Sequence, residues 1–211
     1  MEKKKLLGMT LAELKSFVKE MGLPTFTAKQ LADWLYKKRV SSIAEMTNLS
    51  LANRSKLEAV CEVGLENPAR VQVSEDGTKK YLFKTNNSFV ETVYIPETER
   101  ATLCVSTQIG CKMNCLFCMT GKQGFSGNLT AADIINQMQA IPEYDKLTNV
   151  VFMGMGEPMD NVDSVLNVLD IMTSDYGYGW SPKRITVSTV GIIPGLKRFL
   201  AESDCHLAVS L

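Results

Sequence analysis

ATLCVSTQ, at residues 101–108, begins the pattern that decides the fold. A short apolar strand leads into a loop and then an amphipathic helix, and the unit repeats. NVVFMG (149–154), RITVST (184–189) and HLAVSL (206–211) read as the next three strands. Between them, Thr130 caps a helix carrying Ile134, Ile135 and Met138. Asn161 begins another with Val165, Leu166, Leu169 and Met172, and a short helix follows Pro194. Near-continuous apolar strands alternating with helices imply an α/β domain with a parallel sheet covered on its outer face. The pattern does not choose between an open sheet and a barrel. HLAVSL runs to Leu211 with no helix after it, so the expectation is the N-terminal part of a longer protein.

Upstream, the character changes. Residues 68–96 alternate polar and apolar, Asp76-Gly77 is a hairpin signal, and YLFK (81–84) and FVETVYI (89–95) read as strands ended by Pro96. Residues 1–65 read as helical. Thr10 and Glu13 form a capping box before Leu11, Leu14, Phe17 and Val18. Thr27 and Gln30 form a second, with Phe26 stapling against Leu31, and Ser50 starts a third helix. Three or four short helices are expected around Trp34. The division expected is a helical accessory domain at 1–66, a β-hairpin extension at 67–100 and a core at 101–211.

Composition bounds the answer without supplying it. The 211 residues are 45% hydrophobic and 22% charged, and 23 basic residues balance 23 acidic ones. These proportions suit a globular chain with a sizeable core and exclude wholesale disorder, collagen or coiled coil. No apolar run approaches the ~20 residues of a membrane span. The basic start MEKKKLLGMT is followed by no apolar segment of signal-peptide length, which argues against secretion. Neutral overall charge gives no pointer to nucleic acid.

The cysteines are more telling. Three of the six, Cys111, Cys115 and Cys118, fall within eight residues of the loop after the first strand of the core. Close thiols in a chain without a secretory signal point to a metal or cluster rather than a disulfide framework. Zinc would need a fourth ligand, and a ferredoxin would supply a fourth local cysteine followed by proline. Here Met119 follows Cys118, and the next cysteine is Cys205. Three thiolates suit an iron–sulfur cube with one iron left open; zinc and three unrelated structural thiols are the alternatives. Phe117 is placed to shield such a cluster.

The spacing, with an aromatic before the third cysteine, resembles the radical S-adenosylmethionine (SAM) superfamily. CVSTQIGCKMNCLFCMTGKQGFSGNLTA (104–131), VVFMGMGEPMDN (150–161), ITVSTVGI (185–192) and LAVSL (207–211) resemble the RlmN-type adenine methyltransferases. Within that group, GKQGF (121–125) is more like the RlmN type than its Cfr-type sister family. The resemblance runs from about residue 85 to the end, with a weaker helical match before it. It implies a partial parallel (β/α) radical-SAM barrel, truncated, behind a small helical domain and a β-hairpin. It also implies a cytoplasmic enzyme that methylates C2 of adenine in large-subunit ribosomal RNA and tRNA. The cofactors would be a [4Fe-4S] cluster on Cys111, Cys115 and Cys118 and two SAM molecules, used through a methyl-cysteine beyond Leu211. An electron donor such as flavodoxin is expected as partner, with no membrane. A chain ending at Leu211 is expected to be inactive alone. The alternatives are a Cfr-like C8 methyltransferase and a non-catalytic metal- or RNA-binding fragment.

Other residues take roles from the same resemblance. Glycines in Gly154-Met155-Gly156-Glu157-Pro158 let a ligand approach the backbone, and a carboxylate there can bind an ammonium group. Gly156 and Glu157 inherit contact with the SAM amino group. Ser188, Ser210 and Leu211 inherit other SAM contacts, at the carboxyl ends of parallel strands where α/β proteins place ligands. Cys104 is in register with Ser106 and Gln108, so a lumen lined by those two would also hold the thiol. By resemblance it resolves an enzyme–RNA adduct by attacking the second cysteine's sulfur. Glu91 shares a face with Phe89, Val93 and Ile95. Burial there would raise its pKa, and by resemblance it is the proton acceptor.

Overall fold

The computed structural model describes residues 3–85 and 88–210. Lys4–Lys5 (β1) pairs in parallel with Cys61–Glu62 (β2), tying together the ends of a helical module. Its helices are Leu11–Glu20 (α1), Thr27–Ala32 (α2), which continues into a π-helical turn at Asp33–Lys37, and Leu51–Val60 (α3). Thr10 and Glu13 close the expected capping box, and Ser50 caps α3.

The second box does not form. Thr27 donates its N–H to Pro24 O, so the chain is already helical there and Thr27 is a buried first residue. Phe26 stands at the cap position and is exposed rather than stapled to Leu31. The module centres on Leu14, Leu31, Leu35 and Tyr36, all buried. Trp34 lies at its margin, with the Lys38 ammonium 3.6 Å from the ring centroid.

The strands that follow are Arg70–Val73 (β3), Lys79–Thr85 (β4), Ser88–Pro96 (β5), Ala101–Cys104 (β6), Gln108–Gly110 (β7), Phe125–Asn128 (β8), Asn149–Phe152 (β9), Ile185–Thr189 (β10) and His206–Val209 (β11). Helices Met119–Lys122 (α4), Ala131–Gln139 (α5), Val162–Thr173 (α6) and Ile193–Glu202 (α7) connect the later ones. Gly77, at φ +83°, turns the chain between β3 and β4 where Asp76-Gly77 marked a hairpin.

Seven strands form one sheet in the order β11-β10-β9-β6-β5-β4-β3. From β6 onward the pairings are parallel, while β3, β4 and β5 join antiparallel. Each successive parallel strand is added on the same side. The sheet therefore has no switch point, and its winding is that of a (β/α) barrel rather than a doubly wound sheet.

One sheet face carries Leu103, Val150, Phe152, Ile185 and Val187, all buried. Ile134, Ile135 and Met138 of α5 and Val168 and Met172 of α6 gather around Val150 and Phe152, so the helices cover this face. The register Val93–Cys104–Val151–Thr186 runs across the other face, where all four are half-buried.

ATLCVSTQ is not one strand. β6 stops at Cys104, and the backbone of Ser106 turns to the side chain of Gln137 on α5 instead. Gln137 Oε1 accepts from Ser106 N–H at 2.8 Å, and its Nε2 donates to Ser106 O at 3.0 Å. The chain then forms the small β7–β8 hairpin, which frames the cysteine loop.

Candidate functional site

The cysteine loop is closed by backbone. Cys111 N–H donates to Gly124 O at 2.9 Å, and Cys118 N–H to Cys115 O at 3.0 Å. Gly110 runs at φ +77°, and a Cβ there would lie 1.8 Å from Gly124 O, so the loop's two ends meet only because residue 110 has no side chain. Cys111, Cys115 and Cys118 are free and half-buried. Burial is the main reason the Cys111 thiol titrates above its ordinary range. A Met113 N–H opposes the shift, and the charges of Cys115, Cys118 and Glu157 add to it. The three thiols and Glu157 thus share one electrostatic neighbourhood. Phe117 does not shield them: it is 84% exposed, beside Leu116 at 92%.

Glycines of GMGEP lie against the chain itself. A Cβ at Gly154 would sit 2.7 Å from Ser106 Oγ, and one at Gly156 would sit 2.5 Å from Gln108 Cβ. Residues 105–108 make a close approach at both positions. Met155 O accepts N–H donors from both Thr107 and Gln108, and Met155 N–H donates to Ser106 Oγ at 2.9 Å. Glu157 is buried, not exposed to solvent, and its carboxylate is largely occupied. It accepts from Met159 N–H at 2.9 Å, from Val190 N–H at 3.0 Å and from the Thr189 hydroxyl. Two carboxylate oxygens offer about four acceptor positions, so room for about one further donor remains.

Gln108 was missed as a site residue from sequence. It is fully buried, accepts from Glu157 N–H at 2.9 Å, and donates to Asn128 Oδ1 at 2.8 Å and Asp160 Oδ2 at 2.7 Å. Gln137 was missed too; its Oε1 also accepts from the Thr92 hydroxyl at 2.6 Å. A long amide beside small polar residues is a weak signal, because its partners lie far along the chain.

The open sheet face holds several of the remaining candidates. Cys104 lies there beside Val93 and Val151. Ser106 and Gln108 are fully buried in the networks above and line no lumen, so the register of β6 alone places Cys104 on this face. Burial pushes the Cys104 thiol up, opposed by the Met153 main chain. Glu91 is half-exposed and pairs with Lys80 Nζ at 3.0 Å. The expected burial fails because the buried residues of β5 are Val90, Thr92 and Tyr94, on the helix-covered face. Ser188 lies on the Cys104 face of β10, half-buried. Ser210 is exposed just beyond β11, its N–H donating to Thr189 O at 2.9 Å. Leu211 lies outside the described residues.

Among the described residues, no three Cys, His, Asp or Glu side chains converge as ligands of one metal ion. A tetrahedral zinc would hold its sulfurs about 2.3 Å from a single point. An iron–sulfur cube takes one thiolate at each of three irons, and three free cysteines on one loop supply that donor set.

The region 105–211 matches the family model described as the radical SAM superfamily. The chain belongs to the radical SAM superfamily. A [4Fe-4S] cluster and SAM are the cofactors of radical SAM proteins. Residues 4–63 match a second model, described as a ribosomal RNA large subunit methyltransferase N-terminal domain. Proteins named "Probable dual-specificity RNA methyltransferase RlmN" from Bacteroides thetaiotaomicron and Parabacteroides distasonis are 65% and 63% identical to the whole chain, which covers 61% and 62% of their lengths. The Marinobacter nauticus protein "Dual-specificity RNA methyltransferase RlmN" is 43% identical, and the chain covers 59% of it. A solved radical SAM methyltransferase from Sphaerobacter thermophilus superposes with a TM-score of 0.89 at 36% identity, over 99% of this chain and 63% of that one. The chain thus spans about three-fifths of the length of the relatives it matches.

Proposed function

We propose that this radical SAM protein acts in methylation of C2 of adenine in large-subunit ribosomal RNA and tRNA. The carrying observation is that three free thiols stand on the loop after β7, and that Gln108 and Lys112 on either side of Cys111 contact Glu157 and Asp160 of the GMGEP segment. The names of the relatives support the substrate class. The division into 1–66, 67–100 and 101–211 is part of this reading, as are a cytoplasmic location and an electron donor such as flavodoxin. Among the described residues no helix is long and apolar enough to cross a membrane.

In this reading Cys111, Cys115 and Cys118 hold the cluster, and the bound cofactors supply reductive cleavage of the SAM sulfonium. Gly156, Glu157, Ser188, Ser210 and Leu211 hold SAM, the remaining acceptor position of Glu157 taking the ammonium. Gln108 orients Glu157 through its N–H, and the Thr189 hydroxyl and Val190 N–H fix the carboxylate. Cys104 would act as a thiolate on the sulfur of the substrate-bearing cysteine, forming a disulfide as the sulfur–carbon bond breaks and the electron pair leaves with the adenine; burial opposes the loss of its proton. Glu91 must leave Lys80 to take a proton.

Anaerobic reconstitution should load about four iron and four sulfide per chain by this assignment. Cys115→Ala should lose them, and Cys104→Ala should keep them. Full loading in Cys115→Ala overturns the ligand assignment. Mass spectrometry of ribosomal RNA from cells lacking the protein should show loss of 2-methyladenosine. Loss of 8-methyladenosine instead favours the Cfr-like alternative.

A further inference from the structure

The cysteine loop and GMGEP belong to different connections of the sheet, and their separation must be fixed if one cofactor is to touch both. Backbone ties each of them elsewhere. Residues 105–108 bond to the GMGEP main chain, and the cysteine loop closes on Gly124. Among the described residues, one polar contact joins 111–118 directly to 154–161: Lys112 Nζ lies 2.7 Å from Asp160 Oδ2.

Lys112 follows Cys111, and its side chain is 45% exposed, a position where a lysine is ordinarily free in water. Here it is held twice, by Asp160 and by the Phe125 ring, whose centroid is 4.3 Å from Nζ. Asp160 Oδ2 receives a second donor, the buried Gln108 amide, at 2.7 Å. The other proton of that amide goes to Asn128 Oδ1 on β8, and its oxygen takes the Glu157 N–H. One carboxylate oxygen thus joins the thiol loop to the buried hub that orients Glu157. An ion pair anchored through a desolvated third group avoids much of the disorder that makes surface pairs worthless.

Building on the cofactor reading above, we propose that Asp160 is a positioning residue: with Lys112 and Gln108 it clasps the cysteine loop to GMGEP and fixes the distance between the cluster-bearing and SAM-bearing segments.

Asp160→Asn keeps shape and an acceptor for Gln108 but removes the charge that holds Lys112. Lys112→Met removes the other end, and Lys112→Arg should rescue it. In the cluster-free protein, amide exchange across 111–118 should quicken about fivefold in Asp160→Asn and Lys112→Met, with α6 unchanged. In the reconstituted protein, iron and sulfide should stay at the wild-type level. The SAM dissociation constant, read from the change SAM makes in the electron paramagnetic resonance spectrum of the reduced cluster, should rise about tenfold. Asp160→Asn combined with Lys112→Met should be no worse than either alone. Wild-type exchange and SAM affinity in Asp160→Asn, or additive losses in the pair, overturn the clasp. Loss of iron in Asp160→Asn overturns it too, by moving the residue from placement to assembly. Lys112→Met carries the test if Asp160→Asn fails to fold. A wild-type protein that takes up no iron refutes the cofactor reading, and the exchange comparison still decides whether the clasp exists.

Discussion

At Gly156 two constraints coincide: φ of +100° and a space that Gln108 already fills. Gly156→Ala should therefore destabilise the protein by roughly 2–5 kcal/mol, backbone strain and overpacking combined, measured by urea unfolding. Gly179, at φ +64° with nothing near its missing Cβ, should lose only the strain part. Cys104 allows a second test at this scale. Burial raises its thiol pKa, so its alkylation should rise with pH through a midpoint above the ordinary cysteine range of about 8.5. A midpoint at or below that range would show that burial does not oppose the loss of its proton. Grouping was legible where it is local: three thiols within eight positions had to share one loop. The fixing of Glu157 was not legible, because two of its three donors come from the distant Thr189 and Val190.

Helix α5 separates what an element owes to its own sequence from what it does for its neighbours. Thr130 and Asp133 close a reciprocal cap, and Thr130→Ala should cost about 1 kcal/mol. Gln137 on the same helix bonds Ser106 across 31 positions and Thr92 across 45. Gln137→Leu should cost more than about 3 kcal/mol, because it strands several buried partners at once. A smaller loss for Gln137→Leu than for Thr130→Ala would refute this ranking. Thr130 was readable as the cap; the break in strand 101–108 was not, since it depends on Gln137 arriving from the next element. Glu143, just beyond α5, binds Lys79 and Tyr81 of β4. Burial opposes its ionisation, yet the bonds from Lys79 and Tyr81 hold its carboxyl below the usual glutamate range. A lowered folded-state pKa adds stability above the unfolded value and loses it as pH falls through the folded one. Acid unfolding between about pH 5 and 3 should therefore flatten in Glu143→Gln, followed by circular dichroism.

The helical module and the sheet are packed as one body. A Cβ at Gly8 would lie 2.2 Å from Ala132 N, and Asn136 exchanges two hydrogen bonds with the Glu66 backbone, at 2.8 and 2.9 Å. Tyr36 meets Tyr178 edge-on at 5.6 Å, and Arg39 pairs with Asp145 at 2.7 Å. Trp34 reports on the module and Trp180 on the sheet. Urea transitions of Trp34→Phe and Trp180→Phe, each corrected for its own stability change, should show the same steepness and a single step. Separated steps would show that the module unfolds alone. The change of character near residue 66 was legible in the sequence; the docking was not, because Tyr36, Tyr176 and Tyr178 carry no pattern that pairs them.

The cysteine loop is framed by backbone, through the close approach of Gly110 to Gly124 and the β7–β8 hairpin. A loop framed in this way should be ordered by folding rather than by cofactor uptake. Repair follows from that economy. If Cys111, Cys115 and Cys118 hold the cluster as proposed, a molecule that has lost its iron should be refilled in place, without a detour through the unfolded chain or a fresh round of synthesis.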